Sequence, residues 1–232
     1  MATANQLIFD ILEDVRSYNI SDDLDISERQ VLYKINIQRS LWVRNELNKP
    51  GRTIDPFTVQ SLGCVELEAA DSSECPTLPS GCLVLRTKCD IPKTVELHHR
   101  EAITKVGPID KLDYFFSFVP YQQVAFSGNG KYNKDSIFAF IYNKRMYFKV
   151  NSAQAKLLRR VNIMGIFEDP EAVSKFCNTD GTACFNPDSE YPISNWMIPF
   201  IHEQVVKQLI SGLQLPEDNT NDAASNERQG GN

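Results

Sequence analysis

The chain has 232 residues, of which 42% are hydrophobic and 23% are charged, and its formal net charge is −6. This composition is typical of a folded soluble protein and excludes a wholly disordered chain, and the length predicts one compact body. A basic start followed by an apolar run is missing, as is a stretch of about 18 apolar residues, so we expect neither a secretory signal nor a membrane span.

Two helices are predicted in the N-terminal part. Apolar residues recur at helical spacing over residues 4–17, which indicates a short amphipathic helix. A longer helix is predicted over residues 27–48, with Asp25 and Glu28 as a capping pair at its start and Pro50-Gly51 as its stop. Its predicted apolar face consists of Val31, Leu32, Ile35, Leu41, Trp42 and Leu47.

The middle of the chain is predicted to be rich in antiparallel strands. From Phe57 onward, short runs of β-branched and aromatic residues alternate with Pro, Gly, Ser and Asp. The clearest pair is a hairpin of residues 136–142 and 145–150, joined by Asn143-Lys144, where Asn suits a positive φ. The other predicted strands cover residues 59–69, 82–88, 94–98, 114–119 and 157–167.

The C-terminal part is predicted to return to helix. Asp169-Pro170-Glu171 supplies the N-cap and the first-turn proline of a short helix that reaches about Phe176. Apolar residues at helical spacing predict a last helix over residues 194–213. Residues 216–232 hold almost no apolar side chains, so order in this tail would require a partner outside the chain, as in a large assembly.

These elements predict an α+β fold. Helices at both ends of the chain pack together, and the β-rich middle is an antiparallel, sandwich-like insertion. The predicted parts are a helical part at 1–55, a β-rich part at 56–168, closing helices at 169–213 and an extended tail at 214–232.

Charge is segregated along the chain. Residues 131–160 contain eight Lys or Arg and one acid, whereas residues 1–30 carry a net −5 and residues 166–232 a net −8. Opposite charge on different parts of one chain allows copies to pair head to tail, as in a ring or a stack. The alternative is an uneven surface charge without a role in assembly.

Motifs for catalysis are missing from the sequence. Gly128-Asn129-Gly130 is a turn that lacks the rest of a dinucleotide fingerprint, and neither a Walker loop nor a nucleophile elbow occurs. Asn178-Thr179-Asp180-Gly181 resembles part of a calcium loop, but the first and twelfth positions of that loop carry no carboxylate. We therefore expect a protein without enzymatic activity, cofactor or metal.

Two further groups of polar residues do not form a convincing catalytic site in sequence. Glu66 and Glu68 could form a carboxylate pair on one face of a strand, but a solvated strand face is the simpler interpretation. The three histidines, which have no obvious acid or nucleophile partner in sequence, are His98, His99 and His202.

A zinc-stabilised module is one alternative. The cysteines nearest to the first two histidines are Cys64, Cys75, Cys82 and Cys89. Structural zinc ligands usually come in pairs two to four residues apart, whereas these gaps are wider. Since six cysteines are spread over a long chain without an export signal, we expect reduced thiols.

Nucleic-acid binding by the basic segment 131–160 is the stronger alternative. Single-strand binders combine cationic grooves with aromatic platforms, although the same aromatic residues would also suit a buried strand face. The interleaved residues are Lys131, Tyr132, Lys134, Phe138, Phe140, Tyr142, Lys144, Arg145, Tyr147 and Lys149.

The order of the predicted elements and the general sequence pattern over residues 1–213 resemble those of the tail-barrel ring proteins of crAss-like bacteriophages. More distantly they resemble the head-to-tail connector and tubular proteins of short-tailed phages. Besides the long helix at 27–48 and the β-rich middle, the resemblance rests on three short segments. These are Gly165-Ile166-Phe167-Glu168-Asp169-Pro170-Glu171-Ala172, Tyr191-Pro192-Ile193 and Ile201-His202-Glu203-Gln204.

The resemblance implies a virion protein, assembled in the host bacterial cytoplasm, that is repeated around the tail axis below the portal. Twelve copies would form a ring that stacks with other barrel rings, a portal or a tail hub, so that genome and cargo proteins pass through. From the charge pattern we expect subunit contacts at the hairpin and at the acidic tail. The candidate contact residues are Tyr142, Lys144, Arg145, Tyr147, Glu217, Asp218 and Asp222.

Overall fold

The computed structural model describes residues 2–18, 26–70, 83–98, 101–109, 115–128, 130–133, 136–150, 158–176 and 187–213. The α-helices are α1 (Ala4–Tyr18), α2 (Glu28–Leu47), α3 (Pro170–Ser174) and α4 (Ile198–Leu213). The strands are β1 (Gln60–Ser61), β2 (Val65–Ala69), β3 (Leu83–Thr87), β4 (Ile103–Pro108), β5 (Ser117–Phe118), β6 (Phe138–Tyr142), β7 (Arg145–Val150) and β8 (Arg160–Gly165). None of the helices in these ranges is long and apolar enough to cross a membrane.

Helices from the two ends of the chain form one core. α1, α2 and α4 contact each other pairwise, because each carries apolar side chains at helical spacing. Side chains from the middle of the chain, among them Val95, Leu97 and Ala102, complete this helical core. Full burial of one such Val, Leu or Ile contributes about 1.5–3 kcal/mol. The predicted packing of the terminal helices is confirmed, while the division of the chain into four parts stays a prediction.

The long helix α2 differs from its prediction in two respects. Its N-cap is Ser27, whose side chain accepts a hydrogen bond from the backbone N–H of Gln30, so the predicted capping pair of Asp25 and Glu28 was wrong. Its buried residues include two polar ones, Gln38 and Arg39, whereas Leu41 is 44% exposed. The other five predicted residues of the apolar face contact the helical core, so only Leu41 was wrong.

The β-rich middle is one curled, mixed sheet. Its strand order is β1-β8-β2-β3-β7-β6-β5, and β4 pairs with β8. The backbone N–H of Phe116, just before β5, donates to the carbonyl of Val106 in β4 at 2.8 Å, so the sheet curls back on itself. Inward-facing side chains of six strands, such as Val65, Phe148 and Ile163, form a second core inside the curl. The predicted α+β class is confirmed, and the predicted sandwich-like insertion has this curled form.

Strand prediction succeeded best where a turn signal accompanied the pattern. β6 and β7 form the predicted hairpin, and Asn143 (φ 46°) and Lys144 (φ 64°) both adopt positive φ. Residues 94–98 instead form isolated bridges through Thr94 and Glu96. Strand β4 was missed, since only Val106 and Gly107 of its six residues are buried.

Helix α3 begins as predicted, whereas α4 begins at Ile198, four residues after the predicted start of the last helix. The Asp169 side chain accepts a hydrogen bond from the N–H of Glu171, and Pro170 opens α3. A 3₁₀ turn at Asn195–Met197 leads into α4. The predicted tail at 214–232 and the rejected calcium loop at 178–181 lie outside the described residues.

The hairpin turn generates a stability prediction. Replacing Lys144→Gly removes the side chain from a left-handed backbone position and should raise stability by about 0.5–1 kcal/mol, or Tm by about 1–4 °C. Lys144→Ala is the matched control, because it removes the charge but keeps the Cβ atom. Equal melting temperatures for the two variants in a thermal scan would contradict this account.

Candidate functional site

A buried arginine joins four segments of the chain. Arg39 is fully buried in the middle of α2. Its Nε atom donates to the carbonyl of Pro192 at 2.6 Å and its NH1 atom to the carbonyl of Phe167 at 2.8 Å. A longer contact of 3.4 Å joins NH2 to the carbonyl of Thr58. The planar guanidinium suits this task, because it presents several donors in a fixed geometry.

Asn36, one helical turn before the arginine, strengthens the same junction. Its side-chain nitrogen donates to Asp169 at 3.2 Å, and its side-chain oxygen accepts a hydrogen bond from the hydroxyl of Tyr191. The hydroxyl of Ser40, one helical turn after Asn36, donates to the carbonyl of Glu168 at 3.3 Å. This group of contacts, here called the Arg39 junction, fixes α2 against the start of α3 and against the segment before α4.

Burial sets the electrostatics of the Arg39 junction. Loss of hydration lowers the pKa of the Arg39 guanidinium, while Tyr191 and Asp169 raise it. Burial also raises the pKa of Tyr191 to about 12. The guanidinium carbon lies 5.8 Å from the centroid of the Tyr191 ring, within the range of a cation–π contact. Since the guanidinium donors end on backbone carbonyls, the junction has the chemistry of a structural clamp.

The predicted contact residues of the hairpin fall into two groups. Lys144 is exposed at the turn, and Arg145 is occupied by ion pairs to Asp90 at 3.0 Å and Glu68 at 3.2 Å. Tyr147 is buried, and Tyr142 is half-buried and stacks on Tyr121 with a centroid separation of 4.7 Å. Among the four hairpin candidates, Lys144 therefore has the most accessible side chain for contact with a neighbouring subunit.

Glu66 and Glu68 lie in a ladder of ion pairs on the outer face of the sheet. Glu68 pairs with Arg86 at 2.8 Å as well as with Arg145, and Glu66 pairs with Arg160 at 3.5 Å. Arg86 and Arg160 are the register neighbours of Glu68 and Glu66, so these two contacts are cross-strand pairs. Arg145 reaches Glu68 from β7, beyond β3. The described charges of this face, here called the hairpin face, are Glu66, Glu68, Arg86, Lys88, Asp90, Lys144, Arg145 and Arg160. Cations outnumber carboxylates on it by five to three.

The aromatic residues of the basic segment mostly serve the core. Phe138, Phe140 and Tyr147 are buried, so their rings are not available as stacking platforms for bases. Lys149 is 1% exposed, and its ammonium group donates to the carbonyls of Ser127 at 2.6 Å and Val124 at 3.3 Å. These positions remove most of the basis for nucleic-acid binding by this hairpin.

The cysteines do not all match the expectation of reduced thiols. Cys64 is an exposed free thiol, but Cys89 is disulfide-bonded, so the expectation was wrong at Cys89. The residues Cys75, Cys82 and His99 lie outside the described residues. Within the described ranges, His, Cys, Asp and Glu form no group of three or more suited to a metal ion.

The remaining predicted residues are placed as follows. His202 on α4 lies 3.4 Å from the carboxylate of Asp14 on α1, so it bridges two helices. The tail residues Glu217, Asp218 and Asp222 lie outside the described residues.

The sequence interpretation missed Arg39, because an arginine within a helix is usually solvent-exposed. The available signal was its position, since Val31, Ile35, Arg39 and Val43 lie on one stripe of α2.

Comparison with known proteins identifies the family. The family model described as phage tail ring protein 2 matches residues 6–228. The chain belongs to this family. It is also 26% identical, over 95% of its own length and 96% of the relative's, to Ring protein 2 of Bacteroides phage crAss001. The resemblance to crAss-like tail ring proteins is therefore confirmed, and a structural role in the virion tail follows from it.

The Arg39 junction joins the long helix to two of the three short segments on which the resemblance rested. One of its carbonyl acceptors, Phe167, lies in residues 165–172, and another, Pro192, lies between Tyr191 and Ile193. These segments are far apart in sequence, but they meet at one buried side chain. The junction is thus part of the architecture of this ring protein.

Removal of the guanidinium should destabilise the fold strongly. Arg39→Met keeps an apolar stem of similar length but leaves buried carbonyls of three segments without a donor, which should cost about 3–5 kcal/mol. Arg29→Met, at an exposed position of the same helix, should change stability by less than about 0.5 kcal/mol. Urea unfolding of both variants measures the difference, and similar losses would contradict the role of Arg39.

Tyr191 should make the fold sensitive to alkali. Because its pKa is raised from 10.0 to about 12, the folded state favours the neutral phenol. This contribution is complete below pH 10 and should be lost as the pH rises to about 12, on the order of 2–3 kcal/mol. Tyr191→Phe keeps the ring without the ionisation, so its stability should fall less steeply over this interval. Parallel slopes in urea unfolding at several pH values would refute the assignment.

Proposed function

We propose that the chain is a non-enzymatic subunit of a closed ring in the tail barrel, through which genome and cargo proteins pass. The family match over residues 6–228 carries this proposal. The resemblance implies twelve copies per ring and stacking against other barrel rings, a portal or a tail hub. Assembly takes place in the host cytoplasm, without a membrane partner.

Charge supports contacts between copies. The hairpin face carries a cationic excess, and residues 214–232 contain four acids and one base. A ring requires two different surfaces on each subunit, since one self-complementary surface would give a closed dimer. We infer that the tail of one subunit, through Glu217, Asp218 and Asp222, reaches the hairpin of its neighbour.

The net charge suits a conduit for nucleic acid. Each copy carries a formal −6, so a ring of copies is strongly anionic. Like charge discourages a DNA chain from adhering to the wall, whereas a cationic lining would bind phosphate tightly. DNA is therefore a transient passenger in this proposal, and the ring wall is formed by protein contacts alone.

Charge exchange between the two surfaces tests the subunit contact. Lys144→Glu alone, and reversal of Glu217, Asp218 and Asp222 to lysine alone, should each weaken ring formation. The combined variant should recover it, because the charges are exchanged. Lys144 is preferred to Arg145, whose reversal would also disturb the internal pairs to Glu68 and Asp90.

Native mass spectrometry at low and high salt measures the outcome. Arg16→Glu, an exposed reversal on α1, is the control and should assemble like the parent. The defect of each single reversal should be largest at low ionic strength, where surface charges are least screened. Full assembly of both single reversals would remove this contact from the proposal.

A further inference from the structure

An apolar groove runs along the exposed side of α2. Tyr33, Ile37 and Leu41 follow each other at intervals of one helical turn, and they are 66%, 39% and 44% exposed. Together with Val95 and flanking polar residues they line a groove of about 340 Å³. A row of large apolar side chains in a groove is typical of a surface that packs against another protein.

The rim of the groove is polar and slightly acidic. Lys93 lies between Glu168 at 3.1 Å and Glu96 at 3.7 Å. Asp169 and Arg44 also line the groove, so its rim holds three carboxylates and two cations. The groove therefore favours an apolar occupant that brings a positive charge with it.

A loop elsewhere on the chain has this chemistry. Phe126 and Tyr132 are 82% and 90% exposed, the highest exposures among the large hydrophobic residues in the described ranges. Lys131 lies beside the Tyr132 ring, with its ammonium group 5.9 Å from the ring centroid. Residues 126–128 and 130–133 are here called the aromatic loop.

The start of the aromatic loop is anchored by a buried side chain. The Lys149 ammonium holds the carbonyls of Ser127 and Val124 on either side of Phe126. The exposure of Phe126 is thus imposed by a fixed backbone. A preorganised aromatic side chain loses little conformational freedom on binding, which makes it a good anchor in an interface.

The groove and the aromatic loop adjoin different strands of the sheet. The 3₁₀ helix Tyr121–Phe126 covers the outer face of β3, β7 and β6, where Val124 packs against Val84, Phe140 and Tyr147. The groove adjoins Glu168 just after β8. Strand β7, which the 3₁₀ helix covers, is not a neighbour of β8 in the sheet. Strands β2 and β3 lie between them on one route along the curled sheet, and β4, β5 and β6 lie between them on the other. The two surfaces can therefore meet between copies arranged head to tail.

We propose that the α2 groove of one subunit receives Phe126 and Tyr132 of the next subunit in the ring. This inference rests on the proposed ring. It is independent of the tail contact, whose hairpin residue Lys144 lies close to the groove rim, because the Lys144 carbonyl accepts a hydrogen bond from the backbone N–H of Ile91, two residues before Lys93. The helical side of one copy thus faces the β side of its neighbour.

The size of the contact is sufficient for an anchor. An aromatic side chain buries about 150–250 Å², so two supply a large part of the roughly 800 Å² that each partner contributes to a standard interface. Lys131 would then lie near the carboxylates of the groove rim. Truncation of such anchors should weaken association by at least about 30-fold.

A mixing experiment separates the two surfaces. One variant carries Ile37→Glu and Leu41→Glu, which block the groove, and the other carries Phe126→Ser and Tyr132→Ser, which remove the anchors. Each should remain monomeric alone at concentrations where the parent forms rings. An equimolar mixture should form a dimer of one copy of each, since one intact groove then meets one intact loop.

Mass photometry of the parent, both variants and their mixture gives the result. Circular dichroism checks that each is folded, and Phe9→Glu, a 64% exposed position on α1, should assemble like the parent. Rings formed by both variants, or a mixture that stays monomeric, would overturn this interface and leave ring assembly intact. A parent that stays monomeric would instead overturn the proposed function.

Discussion

A buried guanidinium in the middle of α2 determines how the two halves of this protein meet. Arg39 satisfies carbonyls that follow the last strand, precede the last helix and belong to the turn at Pro56–Thr58. A charge held without water is costly unless its donors are occupied, so the three acceptor segments must be positioned together. The sheet and the helical bundle are thereby joined into one body.

The cationic middle of the sequence has several uses in the folded chain. Arg145 and Arg160 neutralise Glu68 and Glu66 across strands, and Lys149 is buried as a hydrogen-bond donor to the loop that precedes β6. Only part of the formal charge of residues 131–160 therefore remains for partners, and Lys131, Lys144 and Arg159 are exposed described examples. Because several of these cations are paired or buried within the subunit, the strongly basic segment gives only a moderate excess of positive charge on the surface.

Sequence patterns identified the elements whose signals are local. The Asp169-Pro170 helix start and the Asn143-Lys144 turn depend on a few neighbouring residues, and both are present. Burial that depends on distant partners could not be predicted in this way. Arg39 is buried because Phe167 and Pro192 offer carbonyls from far along the chain, and Leu41 is exposed because its side of α2 faces the groove. The candidate site was found in part, since the sequence indicated the hairpin but not the pairing of Arg145.

The central claim is that this protein works as a repeated structural wall in the phage tail. Electron cryomicroscopy of intact phage particles, with the chain fitted into the tail density, tests it most directly. The account predicts a closed ring of copies around the tail axis, each with its helical side against the β side of its neighbour. A tail in which this chain occurs as a single copy, or particles that lack it, would contradict the account.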